Sequence, residues 1–325
     1  NKTNRVAIEL ALKNYLSKKT RAEVVGNIFT GLSLGSVLLL AAMGLAITYG
    51  LIGVINMAHG EFLMVGAYAT FLVQNLFRNY FPGGLEYYLL FAIPFSFICA
   101  AFVGLILEFL VLRHLYGRPL ETLLATFGSS LLMMQAVRFI FGAQNVEVAN
   151  PSWMSGSFMP LQDFFPGLLI PYNRLIIFFF SIFVVFVTWL VLNKTRMGLF
   201  VRAVTQNRAM ASCVGVKTRK IDSYAFAFGA GIAGLGGCAL SQIGNVGPDL
   251  GQTYIIDSFM VVVLGGVGQL AGTIIGAFGL GILSKFSEPF IGAVLTKIGV
   301  LLIIILFIQK RPQGMFALKG RSAEQ

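Results

Sequence analysis

The stretch Val24–Gly60, VVGNIFTGLSLGSVLLLAAMGLAITYGLIGVINMAHG, contains no Asp, Glu, Lys or Arg. A helix needs about 20 mainly apolar residues to cross roughly 30 Å of hydrocarbon, so this run holds a full span with residues left over. Working outward, charge-free stretches recur at 62–77, 87–107, 122–137, 175–193, 223–248 and 258–284, and a last apolar segment ends at Gln309. Lys297 stands near the start of that last segment, where a long stem reaches the interface. The grouping predicts an all-α integral membrane protein of about eight hydrophobic segments: 27–52, 56–77, 88–112, 121–142, 173–193, 221–244, 254–284 and 291–309.

Composition excludes the soluble classes. Hydrophobic residues are 57% of the 325-residue chain and charged residues 11%, against about 25% in soluble domains. So few charges would leave broad apolar patches in water, which soluble monomers avoid. The net charge of +11 does not point to nucleic acid, because the basic residues fall in short stretches between apolar runs. Cys99, Cys213 and Cys238 form no CxxC pair and are odd in number, which argues against disulfide or zinc frameworks.

The loops set orientation. Residues 194–220 carry seven basic residues and no acidic one, the tail carries Lys310, Arg311, Lys319 and Arg321, and the 113–121 turn carries Arg113 and Arg118. Residues 143–173 carry Glu147 and Asp163 and no basic residue. The positive-inside rule puts the first three in the cytoplasm and the fourth outside. An even number of crossings must then separate 194–220 from the tail, yet only three segments do. The segment 254–284 is therefore expected to break or re-enter, at the run Leu264-Gly-Gly-Val-Gly-Gln-Leu-Ala-Gly272 in its middle. Irregular backbone at membrane depth survives only when buried in protein or lining a wet cavity, so Gly265, Gly266, Gly268 and Gln269 are expected on the pathway.

A second interruption lies in the first half, where Asn56, His59 and Glu61 stand between apolar runs. Interrupted segments in two halves point to a transport site. Intramembrane ionisable residues cost about 2.5–3.5 kcal/mol on insertion scales and call for a partner or a function. Asn56, His59, Glu61, Asp257 and Gln269 are accordingly the candidate substrate-pathway residues, whereas Glu108 has Arg113 near enough for a structural pairing. His59 implies no metal, since His114 is the only other His. Gly229–Gly234 and Gly266–Ala271 match dinucleotide-binding patterns, but neither has the preceding strand or aqueous sheet, and close helix contact explains them better, as for Gly31–Gly35 and Gly272–Gly276. There is no GxxxxGK[ST] run, nucleophile–base pair or cofactor motif, so no catalytic residue, metal or cofactor is expected.

Three regions are expected: an amphipathic segment 1–25, a permease domain 26–310 and a cytoplasmic tail 311–325. Ile8, Leu12 and Leu16 give the amphipathic segment an apolar face on the membrane surface, and its Asn start suits the end of a removed or missing extension. Within the basic loop, 198–215 reads as one short helix ended by Gly215, with Leu199, Ala203, Gln206, Met210 and Cys213 on one face and Arg202 and Arg208 apart from it. Such a helix suits docking in a partner's groove.

Ile55-Asn-Met-Ala-His-Gly-Glu61, the 196–215 loop with Arg202-Ala203 and Met210-Ala211, and Val263-Leu-Gly-Gly-Val-Gly268 resemble ABC-importer permeases of the branched-chain amino acid type. The likeness runs from about residue 26 to 320. Within that family, Gly31–Ser36, Asn245–Gly251 and Gln309–Gly314 most resemble the urea-importer branch. The resemblance implies a multi-pass permease of the bacterial inner membrane working with two ATP-binding subunits, a second related permease and a periplasmic substrate-binding protein. It implies that 196–215 is the coupling helix, with Arg202, Ala203, Gln206, Asn207, Met210, Ala211 and Gly215 at the ATPase, although the Glu of the general signature is missing there. It further implies a lysine in the amino acid importers where this chain has Asp257. A carboxylate without a strong cation suits the N–H groups of urea, so urea is the expected solute, with branched-chain amino acids or short amides as the alternative. An ATP-independent amide channel and a membrane enzyme are the readings from other classes.

Overall fold

The computed structural model describes residues 2–53, 55–159 and 166–316, so Asp163, Lys319 and Arg321 lie outside the described residues, as do the side chains before Leu12. The chain is an all-α integral membrane protein. Helices α1 (Lys2–Ile52), α2 (His59–Tyr80), α3 (Tyr88–Leu110), α4 (Pro119–Phe141) and α5 (Tyr172–Lys194) are followed by the short α6 (Arg196–Gln206) and α7 (Arg208–Cys213). Helices α8 (Thr218–Ser241), α9 (Leu250–Gly265), α10 (Leu270–Ile291) and α11 (Ala293–Lys310) complete the bundle. Among the described residues, seven helices are long and apolar enough to cross a membrane, and α9 is a shorter apolar helix beside them.

The two ends of the bundle separate as the charges require. Glu108, Arg113, Tyr116, Arg208 and Asp222 meet at one end. At the other, the Gln74 and Tyr88 side chains both donate to the Ala149 carbonyl, and Val146 pairs with Val246. The basic turns thus share one face of the membrane and residues 143–159 the opposite one, where two-residue strands Ser157–Phe158 and Ile170–Pro171 pair antiparallel.

In lipid the tails are as apolar as leucine, so close backbone approach and van der Waals fit hold helices together. That is where the glycine pairs sit. A Cβ built on Gly31 of α1 would lie 2.7 Å from the Ile282 Cα of α10, a separation real side chains do not show. Helix α8 carries the same chemistry on every face: Gly229 abuts α1, Gly234 abuts α3 and Gly237 abuts α2. It is the buried centre of the bundle, its residues Phe226, Ala230, Ile232 and Ala233 packing with Leu40, Met43, Phe62 and Ala100. The dinucleotide-like run 229–234 is therefore a packing surface inside one helix. By contrast α3, α4, α5 and α11 expose Phe102, Leu132, Phe183 and Leu302, the lipid-facing side of the molecule.

Three sequence expectations change. The N-terminal segment is no separate surface helix: α1 runs unbroken from Lys2 to Ile52, and Leu12 and Leu16 are exposed. A lone glycine at 26, with no proline near it, is too weak a signal to stop a helix. The segment 254–284 does break, into the antiparallel pair α9 and α10, which restores the even number of crossings. Its break lies at the end of the bundle rather than at mid-depth, because residues 313–316 fold back over it and α1 ends beside it. The segment 198–215, finally, is two helices rather than one, because Asn207 ends α6 and its side chain caps α7 by accepting from the Met210 N–H at 2.9 Å.

Candidate functional site

The polypeptide leaves α1 at Gly53, and residues 55–58 lie in the bundle as irregular backbone before α2 begins at His59. Asn56 starts this re-entry: its side-chain oxygen accepts from the Ala58 N–H at 3.0 Å, and the His59 N–H donates to the Asn56 carbonyl. Met57 N–H donates to Thr126 Oγ1 of α4 at 3.2 Å. Helix α2 therefore starts inside protein, with Asn56, His59 and Glu61 all buried. Room for it comes from Gly60, whose backbone meets Gly251 at the start of α9; a Cβ on Gly251 would lie 2.5 Å from the Gly60 carbonyl oxygen.

The chemistry of this cluster is unfinished. His59 Nε2 donates to the Ala41 carbonyl at 3.2 Å. Glu61 Oε1 accepts from Ser130 Oγ of α4 at 2.8 Å. Asn56 Nδ2, His59 Nδ1, Glu61 Oε2 and the Tyr68 hydroxyl are buried with no hydrogen-bond partner among the described residues. Buried polar atoms are paired in the great majority of cases, so four in one short stretch of chain mark a place where a polar molecule can complete them. Donors and acceptors are both on offer, and Asp249 acts electrostatically on Glu61 and Tyr68 from the start of α9.

Asp257 and Gln269 do not join this group. Asp257 faces the other side of α9, where its carboxylate lies 3.5 Å from Lys297 Nζ of α11 in a cleft also lined by Leu38, Met260, Leu280 and Lys285. Lys297, expected to reach the interface alone, is thus the cation of an interhelical pair. Gly265, Gly266, Gly268 and Gln269 form the α9–α10 turn. Gly266 has φ +98° and lies under the carbonyls of Gln313 and Phe316, while Met315 and Phe316 N–H groups donate to the Leu264 and Gly265 carbonyls. The turn is closed by the protein's own backbone.

The α6–α7 element divides its residues between two duties. Leu199, Phe200, Met210 and Val214 are exposed, as are Gln206, Asn207, Cys213 and Gly215. Ala211 is buried and Ala203 half-buried against Val201, Val204 and Ala225. Arg202 turns back to α5, donating to the Leu192 carbonyl and Asn193 Oδ1 at 3.0 Å each. Glu108 keeps its structural pairing: Arg113 lies 3.6 Å away and Ser223 Oγ donates to it at 2.7 Å.

Sequence reasoning missed Thr126, Ser130, Tyr68 and Asp222. The first two had a signal, since Thr122, Thr126 and Ser130 recur at i, i+4 and i+8 inside an uncharged stretch and form the buried stripe of α4. Tyr68 stands two helical turns from Glu61, on the same face of α2. Asp222 is the one carboxylate just after a wholly basic loop.

A family model described as the branched-chain amino acid transport system permease component matches residues 27–309. The high-affinity branched-chain amino acid transport system permease protein BraD of Pseudomonas aeruginosa is 30% identical over 290 residues, covering 88% of this chain and 93% of that protein. The permease protein LivH of the same kind of system in Escherichia coli is 28% identical over 302 residues, again 88% and 93%. LivM of Escherichia coli is 25% identical over 302 residues, 87% of this chain and 68% of that protein. No solved structure matches. Helix α2, the glycine turn and the α6–α7 loop fall inside the matched region, and the chain is a multi-pass membrane protein that belongs to the family of branched-chain amino acid transport system permease components.

Proposed function

We propose that this chain is the permease subunit of an ATP-driven importer for branched-chain amino acids. It takes solute from a periplasmic binding protein, pairs with a second related permease and is driven by two ATP-binding subunits. The carrying observation is the family match along 27–309 together with two relatives, each covered over nine-tenths of its length and named for that solute class. LivM, a different permease of the same system type, supports the second subunit. The exposed apolar side chains of α6 and α7 at the basic end of the bundle support the ATPase contact.

Urea has less behind it than the sequence suggested. One ground for that reading was Asp257 as a carboxylate free of strong cations, and Lys297 Nζ at 3.5 Å removes that ground. The relatives are named for amino acids. The buried group at Asn56, His59 and Glu61 offers donors and acceptors together, which suits a zwitterion at least as well as an amide. The experiment is reconstitution with the partner ATPases, binding protein and second permease in liposomes. Leucine uptake is expected to require ATP and to exceed urea uptake; equal passage of either solute through this chain alone, without ATP, would overturn the reading.

A further inference from the structure

Helix α7 is fastened to α8 by a single charge pair whose carboxylate is buried and whose arginine side chain is 42% exposed. Asp222, near the start of α8, is fully buried, and one of its oxygens is held by the guanidinium of Arg208, the first residue of α7. Its other oxygen, Oδ1, has no hydrogen-bond partner among the described residues. The compensation of a buried carboxylate therefore rests on one cation, and removing a lone partner of this kind is strongly destabilising because the remaining charge stays buried. The same guanidinium lies 4.8 Å from the centroid of the Tyr116 ring, so the turn between α3 and α4 holds its plane.

Helix α6 is fastened elsewhere. Its Arg202 bonds only to the end of α5, at Leu192 and Asn193, in an exposed setting where such bonds are weak. Between the two helices stands Asn207, extended at φ −151° and ψ 100°, which ends one helix and caps the next. The two halves share only the small apolar cluster of Val201, Val204, Ala211 and Ala225, a contact without directional bonds.

We propose that Arg208 and Asp222 are positioning residues that make α7 and α8 one rigid arm, hinged at Asn207 against a second arm formed by α6 and α5. The proposal rests on the permease reading above. A push on the exposed face of α7 then enters the bundle at Asp222 and travels along the helix whose glycines abut α1, α2 and α3. A push on α6 is shared between α5, through the Arg202 bonds, and α8 and α1, which it meets by apolar packing alone. The drive to the core runs through the first arm.

The test is leucine taken up per ATP hydrolysed by the complete complex in liposomes. In Arg208→Gln the ATPase subunits are expected to co-purify and hydrolyse ATP while uptake per ATP falls roughly tenfold, the size of an ordinary coupling term. The apolar pair Arg208→Leu with Asp222→Leu removes the stranded charge and keeps the contact, and is expected to regain most of the ratio. Arg208→Lys keeps charge without the planar stack and falls between. An unchanged ratio in Arg208→Gln, or an apolar pair no better than the single change although both assemble, would overturn the proposal. Where Arg208→Gln fails to insert, the apolar pair and Arg208→Lys carry the same decision. A wild-type complex without ATP-driven leucine uptake would instead sink the permease reading itself.

Discussion

Two interruptions divide the apolar chain, and they end differently. Before α2 the break is made by polar side chains, Asn56, His59 and Glu61, and it leaves buried atoms unsatisfied. Between α9 and α10 the break is made by glycines, and the carbonyls and N–H groups of residues 313–316 close it. Both stretches interrupt a hydrophobic run, so both carry the sequence mark of a pathway. Only the first keeps unused hydrogen-bonding capacity inside the protein. A break alone therefore says where the backbone turns; the orphaned polar atoms of Asn56, His59, Glu61 and Tyr68 single out the first break as the place to test for solute.

The sharpest way to break that contrast is Glu61→Met. Leucine uptake is expected to fall about 100-fold or more, while thermal stability holds or rises, because an unsatisfied buried carboxylate oxygen costs about 1–3 kcal/mol. A variant that loses stability and keeps uptake would make Glu61 a brace. Gly266→Val is expected to do the reverse: at φ +98° and under the Phe316 carbonyl, it should cost about 1–3 kcal/mol of stability with uptake per inserted molecule little changed. Uptake abolished at full stability would return the glycine turn to the pathway.

Helix α9 touches both breaks, and its Asp257–Lys297 pair offers a smaller test. The exchange Asp257→Lys with Lys297→Asp should retain most uptake, whereas either single change places like charges together and lowers it several-fold, as for coupled neighbours. If the exchange is no better than the singles, Asp257 acts on solute rather than on Lys297. The smallest effect is expected for Tyr68→Phe, which removes an unpartnered hydroxyl: stability within about 1 kcal/mol of wild type by thermal unfolding, with a measurable change in leucine KM if that hydroxyl meets solute.

Much of this architecture was legible from apolar run lengths and loop charge. The α9–α10 pair followed from parity alone, since an odd number of spans could not join two basic segments on one side. Its depth was not legible, because what closes the turn is the strap 313–316, beyond both α10 and α11, and nothing local in 264–272 names a partner. Separation along the chain also hid the cation beside Asp257. At Glu61 the intramembrane carboxylate was plain, but its Ser130 partner sits on α4, 69 residues away, and only the polar stripe of that helix hinted at it. Asn207 could have been read as a cap, and the continuous run of good helix formers around it masked that signal.

Cys213 stands exposed at the end of α7, whereas Cys238 is buried and Cys99 half-buried among apolar side chains. A thiol-reactive fluorophore or spin label would accordingly favour the lever over the spans in the unaltered polypeptide. Spectroscopy of nucleotide-driven motion could begin on this molecule without first stripping out its sulfhydryls.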